Sequence, residues 1–237
     1  MNTITLKTNS LRAPRTKLSD RVLPDYTRGE EIFNMVTHII GGAMGIAVLC
    51  LCVIKCAMNH DAWGVVSSSV YGASLIILYS VSSVYHGLTI CMGKKVMQVI
   101  DHCTIYFLIA GTYTPIVLAG IRKSHPGWAF SIFGIVWGLS CFAAAFTAID
   151  HNKYKKLSMI CYIAIGWCIV IAAKPTIEAI GITALLWILA GGICYTIGAV
   201  LYSLGKKRQV RYMHSVFHIF VLLGSFLQFV AIYFYIL

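Results

Sequence analysis

Three histidines are the residues of this 237-residue chain best suited to bind a metal ion. His214 and His218 are four residues apart, so on one helix their rings lie on the same face and can hold a single ion. His86 lies far away in sequence, at the end of another apolar stretch. Three imidazoles that leave one position open are typical of a catalytic zinc site. We therefore predict a Zn²⁺ site at His86, His214 and His218.

Two further polar residues could support hydrolysis at such an ion. Water bound to zinc has a pKa near about 7, and a nearby carboxylate can orient that water and take its proton. Asp101 is the candidate carboxylate, and Ser82 is the candidate hydrogen-bonding partner of the water or the substrate. Because serine and not glutamate follows His214, the H-E-x-x-H pattern of metalloproteases is not indicated.

A third group of polar residues shares one face of a predicted helix. Glu31, Asn34 and His38 have the spacing i, i+3 and i+7, which keeps side chains on one side of a helix. Such residues commonly orient metal ligands through hydrogen bonds without touching the metal. We expect this role for all three.

Each of these side chains also has a simpler interpretation. The two histidines of the last apolar stretch could make hydrogen bonds between helices. Asp101 could pair with Lys95 or Arg211, and Glu31 could complement the positive end of a helix. The remaining histidines are expected to be ordinary interfacial or surface side chains: His60, His102, His125 and His151.

The composition requires a lipid environment around these residues. Hydrophobic residues make up 59% of the chain, charged residues 11%, and the mean hydropathy is +0.80, whereas soluble domains carry about 25% charged residues. The net charge of +11 does not indicate nucleic-acid binding, because the basic residues lie between apolar runs. The nine cysteines lie mostly within these runs, which favours free thiols over disulfides.

Apolar runs predict an all-α integral membrane protein, a bundle of seven transmembrane helices. Each run is close to the roughly 20 residues that cross a hydrocarbon core, and short polar connections leave no room for another domain. Thr27 and Glu30 have capping-box spacing, so residues 1–26 are predicted to be a disordered basic tail and 27–237 the membrane domain. The predicted spans are 35–56, 63–86, 97–120, 127–149, 157–174, 181–204 and 213–237.

The distribution of Lys and Arg predicts the orientation. The side that includes the N-terminus carries fifteen of these residues, and the opposite side carries four. The positive-inside rule then places the N-terminus in the cytoplasm and the C-terminus outside. Every candidate site residue falls near the cytoplasmic end of a predicted span. This agreement is independent support, because none of them entered the count.

Taken together, these residues resemble the motifs of the haemolysin III family. That family belongs with the progestin and adipoQ receptors and, more distantly, the alkaline ceramidases. The resemblance extends from about residue 27 to the end of the chain. It implies seven helices, a cytoplasmic N-terminus, zinc on the three histidines, and Ser82 and Asp101 near a zinc-bound water. The residues that carry it are Glu31-x2-Asn34-x3-His38, Ser82-x3-His86, Asp101 and His214-x3-His218.

The resemblance also frames the expected function. Its receptor branch implies hydrolysis of ceramide-like lipid amides, and its bacterial branch implies pore formation and lysis of red cells. This short chain is more similar to the bacterial branch, so a multi-pass protein of the bacterial plasma membrane is expected. We predict a metal-dependent hydrolase of a lipid amide or ester, with membrane lipid as its partner. The alternatives are a cytolytic pore and a receptor of membrane lipid state with a structural zinc; a transporter is weaker, because no internal repeat is evident.

Overall fold

The computed structural model describes residues 15–237, and every regular element among them is helical. Single π-helical turns follow α3 and α7, and short 3₁₀ stretches follow the first of these turns and α5. The helices are α1 (Arg28–Met58), α2 (Ala62–Gly87), α3 (Met92–Pro115), α4 (Pro126–Ile149), α5 (His151–Gly166), α6 (Ala173–Arg208) and α7 (Met213–Ala231).

Six helical stretches in the described part of the chain are long and apolar enough to cross a membrane. The chain is therefore a multi-pass membrane protein, as the composition predicts. α1 to α4 and α7 match predicted spans, with ends that differ by up to seven residues. The predicted fifth and sixth spans fall together in one stretch of 58 residues, His151–Arg208. Their separation into two spans stays a prediction.

This long stretch is interrupted twice. The backbone tightens into a 3₁₀ helix at Cys168–Ala172, and Gly181 adopts φ 82° and ψ 160° within α6. Residues 175–180, which separate the predicted fifth and sixth spans, form the first part of α6 and end at the break. Pro175 lies in the first turn of this helix, where a missing N–H is tolerated. The Trp167 indole N–H donates to Thr196 Oγ1 at 3.0 Å, which brings the end of α5 against the middle of α6.

The starts of α1 and α7 are joined by one buried carboxylate. The predicted capping box is present, since Glu30 N–H donates to Thr27 Oγ1 and Thr27 N–H donates to the Glu30 carboxylate at 2.8 Å. The same carboxylate accepts the N–H of Tyr212 at 2.7 Å, just before α7. Tyr212 and Gln209 both have left-handed backbone conformations, which close the tight turn from α6 into α7.

Small residues allow α1 and α2 to pack closely. A Cβ added at Gly45 would lie 3.1 Å from the Leu75 side chain, and one at Gly41 would overlap the Tyr79 ring. These two glycines form a small-x-x-x-small pair, which lets helices approach closely in a membrane. The same tyrosine also reaches α7: Tyr79 Oη donates to Ser225 Oγ at 2.8 Å, and both groups are buried. These contacts hold the faces of α1, α2 and α7 together in the middle part of the bundle.

Residues 15–26, which belong to the predicted tail, lie against the end of the bundle where α1 and α7 begin. Residues 1–14 lie outside the described residues. Thr16 N–H donates to Asp150 Oδ2 at 2.9 Å, between α4 and α5. Arg211 donates to the backbone oxygen of Asp25 at 2.7 Å. The segment therefore covers the ends of the helices that carry the candidate site.

Candidate metal centre

The three predicted histidines meet at one end of the bundle. His86 is on the last turn of α2, and His214 and His218 are on the first turns of α7. His214 Nε2 lies 3.3 Å from His86 Nε2 and 3.0 Å from His218 Nε2. The potential ligand atoms all lie within 4.8 Å of one another. His86 and His218 are buried and His214 is half-buried.

Neighbouring groups fix the protons of two rings. His86 Nδ1 lies 2.6 Å from Glu31 Oε2, so a carboxylate accepts its proton. His218 Nδ1 lies 3.3 Å from the backbone oxygen of Asn34, which likewise can only accept. With the protons on Nδ1, the Nε2 atoms of both rings present lone pairs toward His214. The sequence singled out both partners, Glu31 and Asn34, as orienting residues.

These nitrogens fit a zinc ion. A proton on His214 Nε2 could satisfy one of the two facing lone pairs but not both, whereas a cation between the rings would satisfy all three nitrogens. At Zn–N distances of about 2.0–2.1 Å, tetrahedral coordination separates neighbouring nitrogens by about 3.3–3.4 Å. The distances of 3.3 and 3.0 Å are close to this separation. Three imidazoles are also a ligand set typical of zinc.

Glu31 joins this cluster to a buried lysine. Lys94 Nζ donates to Glu31 Oε1 at 2.7 Å and to the Leu88 backbone oxygen at 2.8 Å. Lys94 is only 3% exposed. The Glu31 side chain therefore does not serve the helix N-terminus, the simpler interpretation of this residue, but binds His86 and Lys94. Lys94 was missed at the sequence level, where it counted only as a topogenic charge in a short connection.

Asn34 and His38 both lie against His218, but they make different kinds of contact. Asn34 Oδ1 accepts a hydrogen bond from Ser215 Oγ at 2.7 Å, which ties α1 to α7 beside His218. The His38 ring stacks on the His218 ring with centroids 3.6 Å apart and an angle of 14°. Neither ring nitrogen of His38 has a hydrogen-bond partner among the described residues. His38 therefore contacts a predicted ligand through its ring face and not through a hydrogen bond.

Asp101 and Ser82 lie next to each other near the cluster. Asp101 is 8% exposed and Ser82 is 1% exposed, and the two side chains are within interaction distance. Tyr85 also contacts the cluster, since its ring is 4.6 Å from that of His86, and its hydroxyl accepts a hydrogen bond from Gln98. Among the described residues, no hydrogen bond joins Asp101 to the three histidines. Asp101 thus lies close to the cluster but outside direct contact.

The simpler pairings proposed for Asp101 are not present. Lys95 donates instead to the Ser19 backbone oxygen, and Arg211 binds Asp25 and Glu30. The one basic group near the Asp101 carboxylate in the described ion pairs is His102, whose Nδ1 lies 3.9 Å away. Because His102 Nδ1 already faces the Gln98 backbone oxygen at 2.8 Å, it gives Asp101 only weak compensation.

Two tyrosines complete the surroundings of His214, and neither was predicted. The Tyr26 ring stacks on His214 with centroids 5.1 Å apart and an angle of 15°, and the Tyr202 ring lies 5.1 Å away at 57°. Burial raises the pKa of Tyr26 above its ordinary value, and the nearby Tyr202 and Tyr85 act in the same direction. The Tyr26 phenol is therefore neutral. Tyr26 lies in the predicted tail, where no helical periodicity draws attention to it.

One surface histidine is also corrected. His151, predicted as a loop residue on the surface, begins α5 and is only 5% exposed. Its ring meets His102 edge to face with centroids 4.2 Å apart. His102 also lies near the Asp101 carboxylate, with its Nδ1 3.9 Å from Oδ2. Sequence spacing alone could not pair the two histidines, because they are on different helices.

The fold and the site define a class: a multi-pass helical membrane protein with a buried three-histidine cluster at one end. Comparison with known proteins places it in a family. Residues 26–229 match the family described as Haemolysin-III related, and the chain belongs to that family, as its motifs predict.

Characterised relatives from bacteria and mammals cover nearly all of the chain. Hemolysin-3 of Bacillus cereus is 36% identical over 208 residues, 88% of this chain and 92% of its own length. The Hemolysin-3 homolog of Bacillus subtilis is 34% identical over 210 residues, 89% of this chain and 96% of its own length. The human Monocyte to macrophage differentiation factor is 24% identical over 220 residues, 87% of this chain and 84% of its own length.

Proposed function

We propose that this protein is a metal-dependent hydrolase of a lipid amide or ester, with zinc held by His86, His214 and His218. The observation that carries the proposal is the convergence of three Nε2 atoms, two of them 3.3 and 3.0 Å from the third. Facing lone pairs at these distances repel one another unless a cation lies between them. The buried position within the bilayer depth favours a substrate that itself resides in the membrane.

The surrounding side chains prepare the ligands. Glu31 and the Asn34 carbonyl hold the Nδ1 protons of His86 and His218, which keeps their Nε2 lone pairs available. Tyr26 and Tyr202 cover His214 and limit access of bulk water. A zinc ion, when bound, polarises a carbonyl group and makes water nucleophilic near neutral pH.

Asp101 supplies the proton transfers in this proposal. Hydrolysis joins the oxygen of water to the carbonyl carbon and breaks the bond from that carbon to the leaving nitrogen or oxygen. The Asp101 carboxylate takes one proton from the attacking water and returns it to the leaving atom. Ser82, beside Asp101, donates a hydrogen bond that positions the carboxylate or the substrate.

We also propose seven transmembrane spans. A straight helix of 58 residues would be about 87 Å long, far beyond the hydrocarbon thickness of about 30 Å. The hydrogen bond from Trp167 to Thr196 supports a reversal, because 29 helical residues would otherwise separate these side chains by about 44 Å. Lys155 of α5 and Lys206 of α6 also lie side by side. Two antiparallel spans account for both contacts.

In this arrangement the N-terminus and the three-histidine site face the cytoplasm, and the C-terminus faces outward. Fifteen of the nineteen Lys and Arg residues lie on the predicted cytoplasmic side. The bacterial relatives support the plasma membrane as the location.

A cytolytic function is the second candidate, because two relatives carry the name Hemolysin-3 or Hemolysin-3 homolog. In that case the histidine cluster would stabilise the fold, and the chain would permeabilise membranes without turnover. Wide helical pores require a continuous polar face, whereas α1, α4 and α6 expose mainly apolar side chains.

Purified protein provides the deciding experiment for the hydrolase. We expect wild-type protein to contain about one zinc per chain, as one site of this kind binds, and to cleave members of a lipid amide and ester panel. Asp101→Asn should keep the zinc and lose turnover by about 10²–10⁴-fold, the usual contribution of a general acid–base group. Asp61→Asn, in the connection between α1 and α2 at the other end of the bundle, should change neither.

Two outcomes would reject the hydrolase. One is wild-type protein with zinc but without turnover on any lipid of the panel, and the other is Asp101→Asn with unchanged turnover. Dye release from liposomes tests the pore separately: release that is unaffected by His86→Ala would favour cytolysis.

A further inference from the structure

A groove outside the histidine cluster combines basic and apolar walls. It has a volume of about 590 Å³ and lies between residues 15–18 and the facing ends of α3 and α4. Its basic wall consists of Arg15, Lys17 and Arg21. Its apolar wall includes Val96 and Ile100, and none of the described residues that line the groove is acidic. A ligand that fits must carry both a negative charge and a hydrocarbon part.

Arg21 is the least exposed basic residue of this groove. Its side chain is 4% exposed, and Nε and one terminal nitrogen are buried without a hydrogen-bond partner in the described part of the chain. Leaving charged donors unsatisfied away from water is costly. Buried arginines therefore normally meet an oxyanion, with which the guanidinium forms paired hydrogen bonds.

Residues 15–237 do not supply that oxyanion directly. The nearby carboxylate of Asp150 is occupied by two backbone groups, Thr16 N–H at 2.9 Å and Lys153 N–H at 3.1 Å. Burial acts to raise the pKa of Asp150, but these hydrogen bonds and the Arg21 charge outweigh it, so its pKa lies below the ordinary value. Asp150 is therefore ionised and compensates the Arg21 charge through space, while the Arg21 donors stay unpaired.

We propose that this groove binds the phosphate head group of an anionic phospholipid, with Arg21 as its buried hydrogen-bond donor. Arg15 and Lys17 add positive charge at the rim, and Val96 and Ile100 contact the acyl chain. These two apolar side chains are 39% and 41% exposed, so the apolar wall continues onto the lipid-facing surface. A free phosphate ion would leave this apolar wall uncovered. The site is separate from the histidine cluster and does not depend on hydrolase activity.

Lipid-dependent thermal stability of the full-length protein in neutral detergent tests the proposal. A ligand that binds the folded state raises the unfolding temperature in proportion to its affinity. We expect phosphatidylglycerol to raise the unfolding temperature more than phosphatidylcholine does. Each basic residue near an anionic surface strengthens binding by about fivefold. The double variant Arg15→Gln/Lys17→Gln should therefore bind phosphatidylglycerol about thirtyfold more weakly.

A matched variant separates a specific groove from general surface charge. Lys207→Gln/Arg208→Gln removes the same charge from exposed positions at the end of α6 and should keep the phosphatidylglycerol effect. Ile100→Trp fills the groove from a lipid-exposed position without changing charge, and it should abolish the effect while the lipid-free protein still folds. Arg21→Gln should lose the phosphatidylglycerol effect as well. If Arg21→Gln fails to fold, Ile100→Trp still tests the groove.

Three results would overturn the proposal. The first is equal stabilisation by the two lipids in the wild type. The second is an equal loss in the matched Lys207→Gln/Arg208→Gln variant, which would reduce the effect to net charge. The third is full stabilisation by millimolar inorganic phosphate alone, which would make the ligand a free anion instead of a lipid.

Discussion

At the scale of single residues, Glu31 determines how His86 is presented. Its two oxygens serve different partners, His86 Nδ1 at 2.6 Å and Lys94 Nζ at 2.7 Å. A buried ion pair is stabilising only when good geometry and further hydrogen bonds offset desolvation. Lys94 meets this condition with the Leu88 carbonyl. The chain from Lys94 through Glu31 to His86 therefore orients the ring and directs its second nitrogen toward the other histidines.

Glu31→Gln should weaken zinc binding by about 10–100-fold, the usual effect of removing a group that orients a metal ligand. The amide is uncharged and leaves the Lys94 charge without a carboxylate partner, although the hydrogen bond to the Leu88 carbonyl remains. The amide can also donate to His86 as readily as accept, so the ring no longer has one preferred tautomer. Competition with a zinc chelator of known affinity measures the change.

Glu178→Gln is the matched control for this prediction. Glu178 also faces a histidine, His125 at 3.0 Å, but its side chain is 48% exposed and the pair lies at the other end of the bundle. The zinc affinity of the Glu178→Gln variant should equal that of the wild type. An unchanged affinity in Glu31→Gln would show that Glu31 does not control the ligand.

At the scale of elements, the break at Gly181 sets the path of α6. A backbone with φ 82° and ψ 160° lies in a region that essentially only glycine adopts. The break kinks α6, so the helix axis of residues 182–208 does not simply continue that of residues 173–180. This second part of α6 carries Thr196, which binds Trp167, and Tyr202, which packs on His214.

Gly181→Ala should destabilise the protein by about 1–3 kcal/mol, the cost of that backbone conformation for a residue with a side chain. No atom lies within 4 Å of the added Cβ, so strain and not steric overlap is the cause. Gly192→Ala is the control, since its Cβ would be equally free within regular helix, where alanine is favoured. Thermal unfolding in detergent should show a lower midpoint for the first variant and an unchanged or higher midpoint for the second. Equal midpoints would contradict the argument.

The elements also show which features a sequence can predict. Hydrophobic runs predict the helices, and the Thr27–Glu30 spacing predicts the start of α1, because both signals are local. Topology then brings His86 to the same depth as the histidines of α7, so the cluster itself follows from counting spans. The sequence places a connection between residues 174 and 181, but it does not mark Gly181 as the position of the break, because a positive φ at that residue depends on the surrounding packing.

Contacts between distant segments were beyond sequence reasoning. Lys94 and Tyr26 lie in or beside connections, where no periodicity marks a buried face. Their contacts with Glu31 and His214 arise only when four segments of the chain meet. The edge-to-face pair of His102 and His151 belongs to the same category.

At the scale of the whole molecule, polar chemistry is concentrated at one end of the bundle. The histidine cluster, Asp101 and the groove at Arg21 all lie where α1, α3 and α7 begin. The opposite end has isolated contacts, such as Lys123 with Asp61 at 3.5 Å. In the proposed function, the end where α1, α3 and α7 begin therefore binds the metal and the substrate. The excess of Lys and Arg at this end predicts that it faces the cytoplasm.

The number of spans decides whether the N- and C-termini lie on the same side of the membrane or on opposite sides. With seven spans the N- and C-termini are on opposite faces, whereas one crossing for residues 151–208 would place both on the same face. A reporter protein that is active on only one side of the membrane, fused after Leu237, distinguishes the two arrangements. We expect this C-terminal fusion to report the outside, because α5 and α6 fold back on each other. A reporter inserted after Asn152 follows four spans in either arrangement, so it is the control and should report the cytoplasm. A C-terminal reporter that is active in the cytoplasm would contradict the seven-span arrangement, and the outward C-terminus with it.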